Sequence, residues 1–488
     1  MLTEYWRACV SLLLPAAAHA LLRVYVAQRL GEGALGLYSL AWTAYSCALT
    51  LGVVGAGVGM TRYAAQLTSS IPRHSRILSA GLFQAFSGSL LVAISLSLLS
   101  RPIAIGLFEV EDLAQLLHLA AIALPGAAVG KVVLGFLNGQ RRMGAFMIVT
   151  ALQSMATVAC TVALVETGHG ATGATLGLLI PAAVAGFASL IAVRRETWQG
   201  PSRVIAFPSF SPTLLRYGAL VTLSNSIGLI QGYTDTVMIG AFLSETEVGL
   251  YAAAMLLLQF VLFPGNAARL VVTPRIAALW SKDEAASVQC LMERSLSAVA
   301  MIAVPSAFTI ALSNAVLLPA IFGAPFSAAG HAIALLMPGA AVMGTWATTG
   351  ATLGITGHVQ SAFKLSLLSA AANIPLNAIL IPHFGISGAA LATTASLVVA
   401  CILEAYSVHK RLGIRISWQR PITAGAVLIT VAAWLLATDR QPGTLFGCVL
   451  WWFAATVLCL ALQPSAMRRE TIARIQAWLN KRLIRNSR

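Results

Sequence analysis

Three ionisable side chains sit where the surrounding sequence is apolar: Arg23 within LLRVYV, Lys131 within AVGKVVL and Asp235 within YTDTVMIG. A charge in hydrocarbon is costly unless it is paired, neutralised or turned toward a hydrated cavity, so each is a candidate functional group. Arg23 carries a planar fork of donors that can grip an oxyanion in bidentate fashion; its bland alternative is to reach headgroups beside Arg29. Lys131 stands about ten residues from the basic loop at Arg141, farther than its stem extends, so it faces a cavity or pairs with an acid in its own bundle. Asp235 needs a proton, a cation or buried donors. Asn373 and Asn377, one helical turn apart around Pro375, share a face and suit hydrogen bonding between helices. Arg62 and Arg275 stand at the ends of two spans, where they set topology or receive an anion.

The elements that must position these groups follow from composition. With 58% hydrophobic and 10% charged residues over 488 positions, and a mean hydropathy of +0.83, the chain reads as an all-α polytopic membrane protein. The net charge of +15 is carried by short loops and the C-terminal tail, which excludes a nucleic-acid partner. The seven cysteines stand singly and read as small packing residues. Apolar stretches of about 20 to 27 residues, each able to cross a bilayer, fall near 9–28, 36–60, 79–100, 113–137, 144–165, 171–193, 213–240, 248–270, 291–318, 328–355, 361–382, 386–408, 421–438 and 443–463. This predicts 14 transmembrane helices. Alternate loops sort by charge, with Arg73, Arg76, Arg141, Arg142, Lys410 and Arg411 on one side and Glu32, Glu109, Glu111, Glu166, Glu245 and Glu247 on the other. The positive-inside rule then places both termini in the cytoplasm. Ala18-His19-Ala20 imitates a leader cleavage site, but the repeat described next needs the first span retained.

Sliding the sequence without a gap by 213 positions (249 − 36) lays Gly36-Leu37-Tyr38 on Gly249-Leu250-Tyr251, Arg62 on Arg275 and Leu22 on Asp235. Six crossings separate the repeat units, so they enter the membrane in the same direction. The expected organisation is two pseudo-symmetric six-helix lobes, residues 1–200 and 201–415. Two C-terminal helices within 416–463 and a basic amphipathic tail, 464–488, on the cytoplasmic leaflet complete it.

The stretches AQRLGEGALGLYSLAW, DTVMIGAFLSETEVGLYAAA and NIPLNAILIPHFGISGAALATTASL, in this order on a 6+6 repeat, resemble the polysaccharide repeat-unit flippases of the multidrug/oligosaccharidyl-lipid/polysaccharide exporter (MOP) superfamily over roughly residues 10–410. The resemblance implies alternating access between two lobes. The cargo would be an undecaprenyl-diphosphate-linked oligosaccharide, moved from the cytoplasmic to the periplasmic leaflet of the bacterial inner membrane. Implied partners are the membrane lipid, a polysaccharide polymerase and a chain-length regulator. Arg23, Lys131, Arg62 and Arg275 become candidates for holding the diphosphate. Similarity to the lipid II flippase further implies that Asp235, Asn373, Asn377 and Thr393 correspond to a sodium site. Asn377 stands where that relative has a carboxylate, which leaves sodium, a proton or no coupling ion open.

The short loops hold no P-loop, HExxH or GxSxG, so a carrier is expected and no catalytic residue or other cofactor. Two alternatives are a cation-coupled drug exporter, which calls for a more acidic cavity, and a polytopic glycosyl- or acyltransferase. The latter needs a catalytic His or Asp pair, and His169, His331 and His383 stand alone on short loops. The charge pattern predicts that a cysteine near Glu111 or Glu245 is labelled by an impermeant maleimide from the periplasm, and one near Arg142 or Lys410 only after permeabilisation. The reverse pattern overturns the topology.

Overall fold

The computed structural model describes residues 2–66, 71–194, 212–414 and 444–461. The expected span at 421–438 and the amphipathic tail at 464–488 lie outside the described residues. Within them the chain forms thirteen α-helices: α1 (Leu2–Val53), α2 (Ala56–Gln66), α3 (Ile71–Gly106), α4 (Glu111–Gly139), α5 (Met143–Glu166), α6 (Gly170–Ala188), α7 (Pro212–Phe242), α8 (Glu245–Trp280), α9 (Ala285–Leu312), α10 (Asn314–Phe322), α11 (Gly330–Ile355), α12 (Val359–Leu412) and α13 (Leu445–Ala461). Nine segments of the described residues are long and apolar enough to cross a membrane. The α7 helix is not among them, because Thr222, Gln231, Thr234 and Asp235 lower its hydropathy.

Two helices are too long to be single crossings. A straight α1 would measure about 78 Å against a hydrocarbon core of about 30 Å. It breaks at Gly31 (φ 84°), and the rings of His19 and Trp42 then meet at 4.8 Å. In a continuous helix those residues would lie about 35 Å apart, so the two arms fold back on each other. Gly31 supplies the positive φ that a side chain resists. In α12 the break falls at Gly385 (φ 58°), and the Ser369 hydroxyl reaches the carbonyl oxygen of Ser396 at 3.4 Å. Both breaks lie between spans expected from the sequence, 9–28 and 36–60 in one case and 361–382 and 386–408 in the other.

The expected continuous span at 36–60 is interrupted. Val54 (φ 48°) and Gly55 (φ 64°) leave the helical region and separate α1 from α2. Gly55 lies against the backbone of Gly218, where an added Cβ would approach the Gly218 Cα to 2.8 Å. The local sequence LGVVGAGVG has no side chain large enough to prevent that approach.

Among the described residues two compact units divide the chain. The first comprises the residues up to Ala253 with Ile321–Phe326 and Ile374–Ala389, and the second comprises Ala254–Ala320, Ser327–Asn373 and those from Ala390 onward. The core of the first unit gathers Tyr45, Met60, Leu78, Leu124, Val132 and Phe136 from α1 to α4. In the second unit Ile276, Met292, Trp346, Leu353 and Val408 join α8, α9, α11 and α12, and α13 is tied to α9 by Trp452 Nε1 donating to Ser306 Oγ at 3.0 Å.

Lipid removes most of the hydrophobic drive between helices, so small residues that permit close backbone approach carry much of the packing. The clearest case involves the two GLY segments. A Cβ on Gly36 would collide with the Glu245 carbonyl oxygen and lie 3.0 Å from the Gly249 nitrogen. A Cβ on Gly249 would collide with the Glu32 carbonyl oxygen and lie 3.0 Å from the Gly36 nitrogen. Residues 32 and 36 correspond to 245 and 249 under the 213-position slide, so the contact is reciprocal, as a local two-fold requires. Gly36→Val and Gly249→Val are each expected to cost about 1–3 kcal/mol through forced separation of the helices. The measurement is the apparent melting temperature in detergent. An unshifted melting temperature in both variants would mean that the contact tolerates a side chain.

Candidate functional site

The first unit contains a cavity of about 440 Å³ lined by the second arm of α1, by α2 and α4, and by Phe146 and Thr222. Its wall includes Val53, Gly55 and Gly57, so the break between α1 and α2 lies on the cavity. Irregular backbone at membrane depth is tolerated where it borders such a space. Trp42 and Tyr45 form an aromatic side, with ring centroids 5.8 Å apart, and the His19 ring packs against Trp42, tilted by 47°.

Lys131 projects from α4. It is set deep within the protein, yet its side chain stays accessible from the cavity it lines. Arg23 is half-buried on the first arm of α1, one helical turn after His19, and His19 lies in the electrostatic field of both Arg23 and Lys131. Of the four expected anion-binding residues, Lys131 lines the cavity, and Arg23 acts with it on His19. Among the described residues no carboxylate pairs with Arg23 or Lys131; an ion pair joins Arg29 to Glu166 at 3.0 Å, both well exposed, with Tyr25 donating to the same Glu166 oxygen at 2.8 Å. Such an exposed pair contributes at most about 1 kcal/mol.

Arg62 and Arg275 are not drawn into this cluster. Arg62 is exposed on α2, its guanidinium 4.7 Å above the ring of Tyr217 and 6.0 Å from that of Tyr63. The Arg275 side chain is exposed on α8, in the second unit.

Asp235 is 3% exposed and satisfied by neutral donors. Asn377 Nδ2 donates to Oδ1 at 2.6 Å, and Tyr251 Oη donates to Oδ2 at 2.7 Å. Helical spacing explains the second contact: Asp235 ends one arm and Tyr251 begins the next, at similar heights on either side of the turn between α7 and α8. Asn377 meets the carboxylate with its N–H₂ group, so a cation here would require the amide to turn its oxygen inward. As it stands, each carboxylate oxygen accepts a hydrogen bond from a neutral donor. Asn373 and Thr393 are both buried and belong to the second unit.

Three groups went unread in the sequence. His19 counted only as part of a cleavage-like tripeptide, although its i, i+4 spacing from Arg23 was available. Tyr251 resembled any aromatic in an apolar run. Glu404 on α12 is a second acid within a span, and its carboxylate occupies space that glycine leaves at Gly350, 2.7 Å from where a Cβ would stand.

A sequence profile described as polysaccharide biosynthesis protein matches residues 9–280, more than half of the 488-residue chain. The chain belongs to the polysaccharide biosynthesis protein family. The MOP-superfamily resemblance read from its motifs is borne out by this match and by its relatives. The "Probable low-salt glycan biosynthesis flippase Agl15" of Haloferax volcanii is 24% identical over 302 residues, 62% of this chain and 62% of the relative. The "Probable flippase AglR" of the same organism is 28% identical over 284 residues, 57% of this chain and 58% of the relative. The aligned stretch thus spans about three fifths of the curated relatives' length. Among solved structures, the lipid II flippase MurJ in an inward closed conformation is similar with a TM-score of 0.75, over 97% of this chain and 100% of that one, at 14% identity. An inward-facing MATE-family multidrug resistance transporter of the MOP superfamily follows at 0.66, over 83% and 98%, at 16% identity. At such identities the likeness establishes the fold of this family member, a helical multi-pass membrane protein.

Tyr251→Phe removes one donor from the Asp235 carboxylate. It is expected to cost about 1.5–3 kcal/mol and to lower the apparent melting temperature by several degrees, whereas Tyr406→Phe, at a residue 59% exposed, leaves it unchanged. Equal melting temperatures in the two variants would show that Asp235 gains nothing from the hydroxyl.

Proposed function

We propose that this protein is a carrier that translocates undecaprenyl-diphosphate-linked oligosaccharide repeat units from the cytoplasmic to the periplasmic leaflet of the bacterial inner membrane. The observation that carries the reading is Lys131 on the cavity wall, with Arg23 near enough that both act on His19 and neither cation paired with a carboxylate among the described residues. Unpaired cations among apolar helices are unfavourable, and an anionic cargo would offset that cost by bringing the missing charge. A lipid-linked diphosphate fits, because its headgroup needs a hydrated cationic site while its polyprenyl chain stays in lipid. The flippase names of the two archaeal relatives support transport over catalysis.

In this reading Arg23 clamps two diphosphate oxygens with its fork and Lys131 adds a point charge. Arg62 and Arg275, at equivalent repeat positions, receive the headgroup at the cytoplasmic side. Residues 1–200 and 201–415 act as lobes alternating access, with helices 13 and 14 in 416–463 and the tail 464–488 as appendages. There are fourteen crossings in all, and both termini are cytoplasmic. The fold-backs at Gly31 and Gly385 support that count by dividing two long helices. Asp235, with Asn373, Asn377 and Thr393, is the coupling set, whose donors would rearrange if a proton or sodium bound. A polymerase and a chain-length regulator act downstream.

The test is flipping of undecaprenyl-diphosphate-linked sugar in proteoliposomes. Arg23→Ala is expected to abolish it and Arg23→Lys to rescue it only in part, because an ammonium keeps the charge but loses the fork. Full activity of the Ala variant would remove Arg23 from the site and with it the basis of the proposal.

A further inference from the structure

The two GLY segments meet across a reciprocal glycine contact, yet the tyrosines that follow each glycine have opposite fates. Tyr251 is 1% exposed and donates its hydroxyl to Asp235 across the turn between two helical arms. Tyr38 is likewise 1% exposed and lies on the second arm of α1, seven residues past the break at Gly31 (38 − 31). Its hydroxyl oxygen is buried, and among the described residues nothing accepts from it or donates to it. At the position equivalent to Asp235 stands Leu22, itself buried; the next residue is Arg23, whose charge is felt at Tyr38. On one repeat a tyrosine meets an acid. On the other it lies in the field of a base and has no acceptor among the described residues.

A buried hydroxyl without a partner is unfavourable, and natural structures rarely retain one without a use. Phenylalanine would fill the same space at no such cost. The missing partner must accept a hydrogen bond and suit the field of a guanidinium, which specifies an anionic oxygen, the chemical species that Asp235 supplies internally on the other repeat. We infer that the Tyr38 hydroxyl is a hydrogen-bond donor to the diphosphate of the transported lipid, acting beside Arg23 in a half-site that is left incomplete until the cargo enters. The inference rests on the flippase reading and extends it to a residue that the charge pattern does not mark. In the state described here the hydroxyl is closed off, so the headgroup reaches it when the arms of α1 part during the cycle. Binding to this half-site then favours the opened arrangement over the closed one.

The experiment compares wild type, Tyr38→Phe and Arg23→Ala in nanodiscs, with undecaprenyl diphosphate as the probe, reading both its affinity and the apparent melting temperature of the lipid-free protein. Tyr38→Phe is expected to weaken binding about tenfold, the loss of one hydrogen bond to a charged group, while its melting temperature stays the same or rises. That combination separates a ligand donor from a structural residue, because losing a structural hydrogen bond would lower the melting temperature. Unchanged affinity in Tyr38→Phe, or a melting temperature lowered by several degrees, overturns the inference. Wild-type binding that Arg23→Ala leaves intact is a different failure: it sinks the diphosphate site itself, and the role of Tyr38 with it.

Discussion

A charge placed among helices in hydrocarbon has no water to fall back on, and this constraint organises the site. Its partner must come from the protein or from what the protein carries. Asp235 draws its partners from the protein, taking one neutral donor on each carboxylate oxygen from Tyr251 and Asn377. Arg23 and Lys131 do not: no carboxylate among the described residues pairs with either, and the ion pair of Arg29 with Glu166 is exposed. Removing either donor from Asp235 leaves a buried carboxylate short of a bond, whereas supplying an anion to Arg23 and Lys131 relieves a standing penalty. The first arrangement accepts hydrogen bonds from within the protein, whereas the second has no carboxylate partner among the described residues.

Both arrangements sit on the same backbone device, an arm that folds back on its predecessor through a tight turn. Gly36 and Gly249 bring the two copies together so closely that each would place a Cβ inside the other segment's carbonyl. Contact of that kind leaves no room for independent drift of either segment. A repeat can then diverge in what it binds while keeping what it packs against, and Leu22 opposite Asp235 is such a divergence. The interruption at Val54 and Gly55 serves the opposite end, since it releases backbone from the helical ladder beside the cavity and keeps that wall from closing into a uniform cylinder.

The sequence made Arg23, Lys131 and Asp235 legible because hydropathy contrast is strong when a single charge interrupts an apolar run. Asn377 was legible because a polar amide one turn from Asn373 has few reasons to lie in lipid. The breaks at Gly31 and Gly385 were legible as loops between spans. The break at Val54 was not, because LGVVGAGVG remains apolar throughout and its glycines signal close packing as readily as a kink. Tyr251 and Tyr38 were invisible for a related reason: a tyrosine in an apolar span counts as core until the partner of its hydroxyl is known, and that partner sits on the preceding helix or is absent among the described residues. Convergence of charges was likewise beyond reach. Arg62 and Arg23 look alike in one dimension, yet one rests on Tyr217 and the other sits one turn from His19 near Lys131.

The fold alone does not choose between a lipid-linked anion and a cationic drug, since similar architecture is found in structures named for either cargo. The sign of the field at the cavity does discriminate. A cationic aromatic compound approaching Trp42 and Tyr45 would find favourable rings but would also meet Lys131 and the Arg23 field without a carboxylate among the described residues to offset them. At the short distances of a cavity, like charges repel by several kcal/mol unless water or a counter-ion screens them. An anion experiences the reverse, because the same cations attract it. The Trp42 and Tyr45 side of the same cavity offers aromatic faces beside that charge.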